Sequence, residues 1–300
     1  MAILLTGASG FVGKHLVSTL LRSNQSVFAL VRNVKQFEQT IAVLSKRYKD
    51  QLVVIDSLER LRSKDVKRID SVIHAAAQSN NAANDWTDLY VSNVQFTNHL
   101  VDWASLNNIG LFVYFSSLSV HGVPEEFEIT KDTKPNPSNL YGLSKWLGEL
   151  SVKKFENFGT TCTLRLPAVV GKGARYHWLA NYLNSALTGR PFVICNPEAK
   201  FNNLIDVETL GHLIKHLLQT PPKDCIALPV GSSGFVTISE IVDLVTNFQL
   251  PSHETRISQF ITKSFTVNTS EMIRYLNYRP EETRTTIKRY IYDSFKTTGG

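Results

Sequence analysis

The segment 141–145, with sequence YGLSK, carries two side chains suited to proton transfer. It begins a predicted helix, and residues four apart share one helical face, so the Tyr141 hydroxyl and the Lys145 ammonium point the same way. A free tyrosine, with a pKa of about 10, holds its proton too tightly to be a good base at neutral pH. A neighbouring cation favours the phenolate, so Lys145 would adapt Tyr141 for acid–base chemistry.

A serine that can orient a substrate oxygen lies upstream of this pair. Ser117 stands in the segment 114–119, YFSSLS, where a predicted fifth strand ends, and its hydroxyl can hydrogen-bond a substrate oxygen. Taken alone, a Tyr-x-x-x-Lys pair in a helix is typical of an amphipathic surface. Combined with Ser117 and with a glycine turn after the first strand, the pair indicates a catalytic site at one edge of a sheet.

The glycine turn is the segment 6–13, TGASGFVG, between the first predicted strand and the first predicted helix. Gly7 and Gly10 allow a tight turn and the close approach of a pyrophosphate, and Gly13 allows the helix to pack closely on the strand. The helix N-terminus offers unpaired N–H groups to the anion. The alternative is a turn that serves only a tight connection, but its position favours dinucleotide binding. The cofactor contacts predicted for this turn are Gly7, Ser9, Gly10, Phe11, Val12 and Gly13.

The second predicted strand ends in the segment 30–33, LVRN, without the carboxylate that usually holds the ribose 2′-hydroxyl of NAD. Arg32 can instead pair bidentately with a 2′-phosphate, which favours NADP(H) over NAD(H). Asp56, followed by Ser57, ends the third strand, where it is placed to meet the adenine. For these side chains the alternative is solvation, a helix cap or simple packing. Small side chains where the cofactor must pass closely follow the fourth strand: Ala75, Ala76 and Ala77.

Short apolar runs alternate with longer amphipathic segments through the first half of the chain. Runs without polar alternation indicate strands buried on both faces, and strand–helix repetition joins such strands in parallel. The sequence therefore predicts an α/β fold, a Rossmann-like doubly wound parallel sheet with its ligand crevice at the carboxyl ends of the strands. The predicted strands are 2–5, 27–31, 52–55, 71–74, 111–115 and 161–166. The predicted helices are 11–22, 34–49, 58–66, 86–107 and 141–157.

After Pro167 this alternation weakens. A chain of 300 residues lies at the upper edge of what one hydrophobic core supports, which favours a large domain with a smaller lobe. We therefore expect an NAD(P)-binding domain with the catalytic residues over 1–167 and a substrate-binding lobe, interlocked with it, over 168–300. The elements predicted for the lobe are helices at 177–188, 208–218 and 238–248 and a strand at 192–195.

The composition, with 43% hydrophobic and 19% charged residues, is that of an ordinary soluble globular protein. The net charge is +6, but the basic residues are spread out, so we expect a surface suited to anionic phosphates and no nucleic-acid partner. Three cysteines far apart and no paired histidines indicate reduced, buried thiols and no metal site. The N-terminal segment has no signal-peptide or membrane-span pattern, so we expect a cytoplasmic protein.

Together these motifs resemble those of the short-chain dehydrogenase/reductase superfamily, in its extended branch of nucleotide-sugar epimerases, dehydratases and reductases. The resemblance spans most of the chain. The matching segments, in the family's order and spacing, are 6–13, 74–77 (HAAA), Asn93, 116–122 (SSLSVHG) and 141–145.

The resemblance implies a role for each catalytic residue. Ser117 would polarise the substrate, Tyr141 would be the acid–base residue, and Lys145 would tune Tyr141 and hold the nicotinamide ribose. Asn93 corresponds to the family's asparagine on the fourth helix, with a purely structural side chain as the alternative. The residues implied to border the nicotinamide are Pro167 and Ala168.

The residues around Ser117 narrow the reaction within this family. Dehydratases carry an adjacent Asp-Glu pair where this chain has Leu118 and Ser119, and GDP-fucose synthases carry a cysteine at the position of Ser119, so both are disfavoured. In a 4-keto-reductase, NADPH would reduce a nucleotide-linked deoxysugar while Tyr141 donates a proton and Ser117 steadies the oxyanion. A 4-epimerase with tightly held NAD would use the same residues. The missing carboxylate beside Arg32 favours the reductase, and the epimerase is the alternative.

Two other classes stay open: a reductase of non-sugar ketones and a regulatory protein that binds NADP without catalysis. The presence of the complete Ser-Tyr-Lys set argues for turnover. His121 stands where many relatives have tyrosine and is either a substrate contact or a side chain that is exposed or hydrogen-bonded locally. By the same resemblance, helices flanking the catalytic segment would form a homodimer face. Further candidate contacts for the substrate, each with surface solvation as its alternative, are Ser119, Lys172, Arg175, His177 and Asn181.

Overall fold

The computed structural model describes residues 1–79, 85–175, 177–248, 254–258 and 263–296, and the chain divides into two compact units. The first unit comprises Met1–Gly122, Lys134–Arg165 and Leu210–Leu228. The second unit comprises Val123–Thr133, Leu166–Thr209 and Pro229–Gly300. The switch after Arg165 lies close to the predicted boundary at Pro167, while the segments 123–133 and 210–228 depart from a simple division at that residue.

The described strands and helices follow one another along the chain. The strands are β1 (Ala2–Thr6), β2 (Ser26–Leu30), β3 (Leu52–Ile55), β4 (Ile69–His74), β5 (Leu111–Ser117), β6 (Glu128–Ile129), β7 (Thr160–Leu166), β8 (Ala168–Val170), β9 (Phe192–Ile194), β10 (Lys200–Phe201), β11 (Leu204–Asp206), β12 (Ile226–Pro229), β13 (Val236–Thr237), β14 (Thr255–Ile257) and β15 (Thr266–Val267). The helices are α1 (Phe11–Arg22), α2 (Val34–Thr40), α3 (Ala42–Arg47), α4 (Ser63–Val66), α5 (Trp86–Leu89), α6 (Phe96–Leu106), α7 (Leu140–Lys153), α8 (Trp178–Leu187), α9 (Val207–Gln219), α10 (Ile238–Thr246), α11 (Ser270–Leu276) and α12 (Thr283–Lys296).

A seven-stranded sheet with the order β12-β7-β5-β4-β1-β2-β3 forms the centre of the first unit. β1 pairs in parallel with β2 and with β4, and the parallel pairing continues to β3 and β5. The strand order reverses at β1, which has β2 on one side and β4 on the other. In a doubly wound sheet such a reversal opens a crevice at the carboxyl ends of the strands, so the predicted Rossmann-like fold is confirmed.

The core of the first unit lies between this sheet and its helices. All five residues of β1 are buried, and Phe28 and Phe112 pack with Phe155 in one apolar cluster. Helix α1 buries an apolar stripe, Leu16, Val17, Leu20 and Leu21, while the residues of its other face are half-buried. Such a stripe recurs at the helical period, which is why this segment forms a surface helix of a layered fold.

The second unit has its own apolar cluster. Leu179 and Tyr182 of α8 pack in it with Ile241 of α10 and with Ile287 and Ile291 of α12. Short pairs of strands accompany these helices: β8 with β11, β9 with β14, β10 with β13, and β6 with β15. Residues 207–209 of α9 belong to the second unit and the rest of that helix belongs to the first.

Three predicted helices are wrong in their extent. The segment 34–49 forms α2 and α3 with a break at Ile41 (φ −111°, ψ 21°), where two β-branched residues with weak helix propensity adjoin. The segment 58–66 forms a 3₁₀ turn, Leu58–Arg60, and then α4. The segment 86–107 contains a π-helical turn, Tyr90–Gln95, between α5 and α6.

Two further structural expectations have definite outcomes. Cys162 is buried, Cys195 is half-buried and Cys225 is exposed, and all three are free, so the expected burial is wrong for Cys225. Burial raises the pKa of the Cys162 thiol to about 12. Within the described ranges, no helix has both the length and the apolar character needed to cross a membrane.

Candidate active site

A cavity of about 470 Å³ opens at the carboxyl ends of β1 to β4 in the first unit. Its lining includes cofactor-binding residues predicted from the sequence: Gly7, Ser9, Gly10, Arg32, Asp56, Ser57, Ala75, Ala76 and Ala77. The lining also includes residues that the sequence analysis did not select, among them Leu58, Glu59, Val91, Phe96 and His99. These residues belong to none of the motifs described above, and only the fold brings them to this crevice.

The glycine turn has the geometry of a cradle. Gly7 has a positive φ of 70°, and a Cβ there would lie 2.6 Å from the Ala76 amide nitrogen, which real Cβ atoms do not tolerate. The Gly10 N–H donates to the Gly7 carbonyl oxygen over 3.0 Å. A Cβ at Gly13 would overlap the same carbonyl oxygen. Side chains at Gly7 and Gly13 are therefore excluded by backbone, and α1 begins directly after Gly10, which lines the cavity.

His74, at the end of β4, ties the wall of the cavity to the interior. Thr97 Oγ1 donates to the Asn93 carbonyl oxygen (2.7 Å), so it must accept from His74 Nε2, 2.8 Å away. His74 Nδ1 then accepts from Thr6 Oγ1 at 2.7 Å, and Thr6 Oγ1 accepts from the Ala76 N–H at 3.2 Å. This arrangement requires the neutral imidazole. Burial, together with the positive charge of Lys145, holds the pKa of His74 well below its usual value, in agreement with a neutral ring.

Asn93 joins the same wall to α7. Its side chain accepts from the Gln78 N–H (2.7 Å), and its amide donates to the Gln78 carbonyl oxygen (3.0 Å) and to Ser144 Oγ (2.9 Å). Ser144 Oγ in turn donates to the Tyr141 carbonyl oxygen over 2.8 Å. Asn93 is buried and is not part of the cavity lining, so the structure describes it as a brace between the cavity wall and α7.

Tyr141 and Lys145 lie on α7, which packs on β5 where that strand ends in Ser117, and Tyr141 hydrogen-bonds to Ser117. Asn139 starts α7 by accepting the Gly142 N–H at 2.8 Å, so Tyr141 lies in the first turn. Burial raises the pKa of Tyr141, and a hydrogen bond with Ser117 lowers it in part. Burial lowers the pKa of Lys145 to about 7, against the attraction of Glu149. Burial therefore makes the Tyr141 phenol harder to deprotonate, whereas the Lys145 amine loses its proton near neutral pH.

Ser119 lies within hydrogen-bonding distance of Ser117. Ser117 Oγ accepts from the Ser119 N–H and donates to Ser119 Oγ, both over 3.1 Å. A Cβ at Gly142 would overlap the Ser119 carbonyl oxygen, so α7 approaches this turn through a glycine. This close approach explains why position 142 of the YGLSK segment is a glycine, which the sequence pattern alone did not indicate.

The remaining predicted contacts have other surroundings. His121 is completely buried, so the expectation of an exposed side chain is wrong, and its Nε2 accepts over 3.4 Å from Nη1 of Arg165, 44 residues further along the chain. His177 starts α8, because its Nδ1 accepts the Ala180 N–H over 3.2 Å. Burial lowers the pKa of His177 to about 4, so its ring is neutral at pH 7. The other predicted contacts in the second unit lie on its accessible parts: Pro167 and Ala168 are half-buried, and Lys172, Arg175 and Asn181 are exposed.

Residues 3–225 match the NAD dependent epimerase/dehydratase family, which is more than half of the chain. The chain belongs to this family. The predicted membership of the extended branch of short-chain dehydrogenases/reductases is thereby confirmed, and with it the prediction of an enzyme. Among the described residues, no cluster of three or more histidine, cysteine, aspartate or glutamate side chains could hold a metal ion.

Curated relatives and solved structures extend the family match. The chain is 29% identical over 229 residues to a UDP-glucose 4-epimerase of Yersinia enterocolitica, covering 73% of this chain and 65% of that protein. It is 25% identical over 281 residues to a UDP-glucose 4-epimerase of Lactobacillus helveticus, covering 84% and 83%. The structure of a UDP-glucuronic acid 4-epimerase from Bacillus cereus with NAD superimposes with a TM-score of 0.81 at 20% identity, covering 99% of each chain. That of MoeE5 with UDP-glucuronic acid and NAD gives 0.80 at 21% identity, covering 99% of this chain and 100% of the other.

Proposed function

We propose that the protein is a nucleotide-sugar 4-epimerase that works with NAD. Its similarity to two curated UDP-glucose 4-epimerases, one aligned over 281 residues, carries this proposal, because the catalytic residues alone fit either reaction. The comparisons therefore favour the reaction that the sequence analysis placed second. A UDP-sugar is the proposed substrate class, since the names of these relatives and of the superimposed structures specify UDP-sugars.

The cavity of the first unit fits a dinucleotide. The backbone around Gly7 leaves no room for a Cβ there, and α1 begins directly after Gly10 of the cavity lining. The small side chains of Ala75, Ala76 and Ala77 line the cavity at the end of β4. We propose that Gly7, Ser9 and Gly10 hold the pyrophosphate and that Asp56 meets the adenine. NAD, when bound, supplies the acceptor and donor of the hydride.

The chain's own residues would move one proton. Tyr141 as a phenolate would accept the proton of the sugar 4-hydroxyl and return it at the end, so that no net proton is consumed. Burial makes this phenolate costly, and the Lys145 ammonium on the same helical face would compensate. Ser117, already hydrogen-bonded to Tyr141, would orient the sugar oxygen. We propose Lys172 and Arg175, both exposed, as contacts for the diphosphate.

A second candidate is the 4-keto-reductase with NADP(H), and Arg32 favours it. Arg32 is exposed and lines the cavity at the end of β2, where no carboxylate follows it before α2. A guanidinium there can bind a 2′-phosphate, and nothing on β2 repels one. We infer that NAD is the working cofactor and that the site also accepts NADP.

The test is an assay of purified protein with UDP-glucose and UDP-glucuronic acid, each without added cofactor and with added NAD. We expect a mixture of the two C4 epimers of one of them, with no net oxidation. Tyr141→Phe should abolish the interconversion while nucleotide binding to the protein persists. No epimer from either sugar, together with consumption of NADPH in proportion to product when a nucleotide-linked 4-keto-deoxysugar is supplied, would replace the epimerase by the reductase.

A further inference from the structure

Glu149 is a buried carboxylate, one helical turn after Lys145, for which the proposed reaction has no use so far. Its side chain is 8% exposed. Tyr141, Lys145 and Glu149 are spaced four residues apart and so lie along one face of α7. A carboxylate taken out of water is costly unless charged or polar partners surround it.

Partners from two strands of the sheet hold this carboxylate in place. Arg165 of β7 binds it as a fork, with Nε 3.1 Å from Oε1 and Nη2 2.9 Å from Oε2, and is itself 7% exposed. Ser116 of β5 donates to Oε1 over 2.5 Å. Glu149 thus joins α7 to the strand that ends in Ser117 and to the neighbouring strand. Bidentate pairs of this kind fix geometry as well as charge.

The surroundings of Lys145 explain why a carboxylate matters there. Lys145 is 1% exposed, and its Nζ lies 4.2 Å from the centroid of the Tyr114 ring of β5. His74 of β4 interacts electrostatically with Lys145 and is neutral, and Tyr141 lies one helical turn before Lys145 on the same helix. Among the described residues, Glu149 is the carboxylate whose charge reaches Lys145 and favours its ammonium, although Arg165 already pairs with it.

We propose that Glu149 is a positioning residue for Lys145, fixed by Ser116 and Arg165, which orients α7 against β5 and sustains the lysine's positive charge in its buried setting. The catalytic consequence rests on the proposed function, because it assumes that Lys145 assists Tyr141. The electrostatic coupling itself does not, and it can be measured without turnover.

The first experiment is a double-mutant cycle of Lys145→Met, Glu149→Gln and the combined variant, followed by urea unfolding at pH 6 and pH 10. Lys145 is charged at pH 6 and neutral at pH 10. At pH 6 we expect Glu149→Gln to lower the unfolding midpoint more in the wild-type background than in the Lys145→Met background. At pH 10 the two losses should be equal. Equal losses at both pH values would overturn the proposal, whether or not the protein is an epimerase.

The second experiment follows activity. Glu149→Gln should reduce kcat at least about tenfold at pH 8.5 and less at pH 6. Without the nearby carboxylate, Lys145 should lose its proton at a pH lower by about one unit or more, so that less of the ammonium is present at pH 8.5. A purely structural tie would reduce kcat by the same factor at both pH values. Glu156→Gln, at an exposed residue just beyond α7, is the matched control and should leave kcat unchanged.

A third variant protects the test against a folding defect. Glu149→Gln leaves the Arg165 charge buried without its partner, so Glu149→Gln combined with Arg165→Met removes that charge as well. We expect the double variant to regain stability while keeping the greater loss of kcat at pH 8.5. A double variant with wild-type kcat at both pH values would show that Glu149 serves only to neutralise Arg165, and would contradict the proposal.

Discussion

Lys145 Nζ lies 4.2 Å from the centroid of the Tyr114 ring, and both side chains are buried. The face of an aromatic ring attracts a cation, so Tyr114 offsets part of the cost of burying the ammonium without supplying a charge. The Tyr114 hydroxyl also donates to the Lys145 carbonyl oxygen over 3.4 Å. Strand β5 therefore contacts α7, which carries the proposed catalytic residues Tyr141 and Lys145, through a residue outside the Ser-Tyr-Lys set.

The contact between Tyr114 and α7 depends on Gly148. A Cβ at Gly148 would overlap the Tyr114 hydroxyl. We expect Gly148→Ala to destabilise the protein by about 1–3 kcal/mol, because the ring has to move in a packed interior. Urea unfolding measures this loss, and Tyr114→Phe in the same chain should recover part of it. Gly110→Ala is the matched control, since its Cβ would make an ordinary 3.7 Å contact, and it should be close to neutral.

Lys145 should cost stability at neutral and acid pH. Burial lowers its folded-state pKa to about 7 from an ordinary value of 10.5. Between these values the unfolded chain binds the extra proton, so stability rises with pH across this window, and below about pH 7 the full cost of the buried cation is present. We expect Lys145→Met to unfold at higher urea than the wild type at pH 6, by more than about 1 kcal/mol, with the gain fading toward pH 10.

The exposed Lys153, on the same helix, provides the comparison for this effect. Lys153→Met should leave the urea unfolding midpoint close to that of the wild type at pH 6. A Lys145→Met variant that is no more stable than the wild type at pH 6 would mean that the ammonium is better solvated than its burial implies.

Arg32 should govern the choice between the two cofactors. We expect Arg32→Ala to weaken NADPH binding about tenfold, because a charge-assisted contact with the 2′-phosphate is lost, and to change NADH binding much less. Fluorescence titration of both nucleotides measures the two dissociation constants. Arg22→Ala, at an exposed arginine in the last turn of α1, should leave both unchanged. If Arg32→Ala weakened the binding of NADH and of NADPH equally, Arg32 would not contact the 2′-phosphate.

The sequence pattern predicted correctly those helices and strands whose ends are marked by glycine turns or by the limits of an apolar run. Helix α1 has the predicted bounds, 11–22, because a glycine turn precedes an apolar stripe at helical spacing. Strand β3 also matches, at 52–55. The break at Ile41 and the π-helical turn around Asn93 were missed, since neither proline nor glycine marks them in the sequence. In the π-helical turn, tertiary hydrogen bonds accompany the departure from a regular helix.

The supports of the site were beyond the reach of sequence patterns for a different reason. His74 bonds to Thr6, which is 68 residues away, and Glu149 bonds to Arg165 on another strand. Each of these residue types is commonplace in isolation. Only the parallel sheet brings them together, and their partners could therefore be recognised only once the strand order was known.

The most direct test of the epimerase uses UDP-glucose that carries deuterium at C4, with analysis of the product by NMR. In an epimerase the hydride that leaves C4 returns to C4 within the same active site, so we expect the C4 epimer to keep its deuterium in the presence of unlabelled NADPH. Tyr141→Phe should give no product. Transfer of the C4 deuterium to added NADP⁺, giving the 4-keto sugar and no C4 epimer, would contradict the account and would favour the oxidoreductase instead.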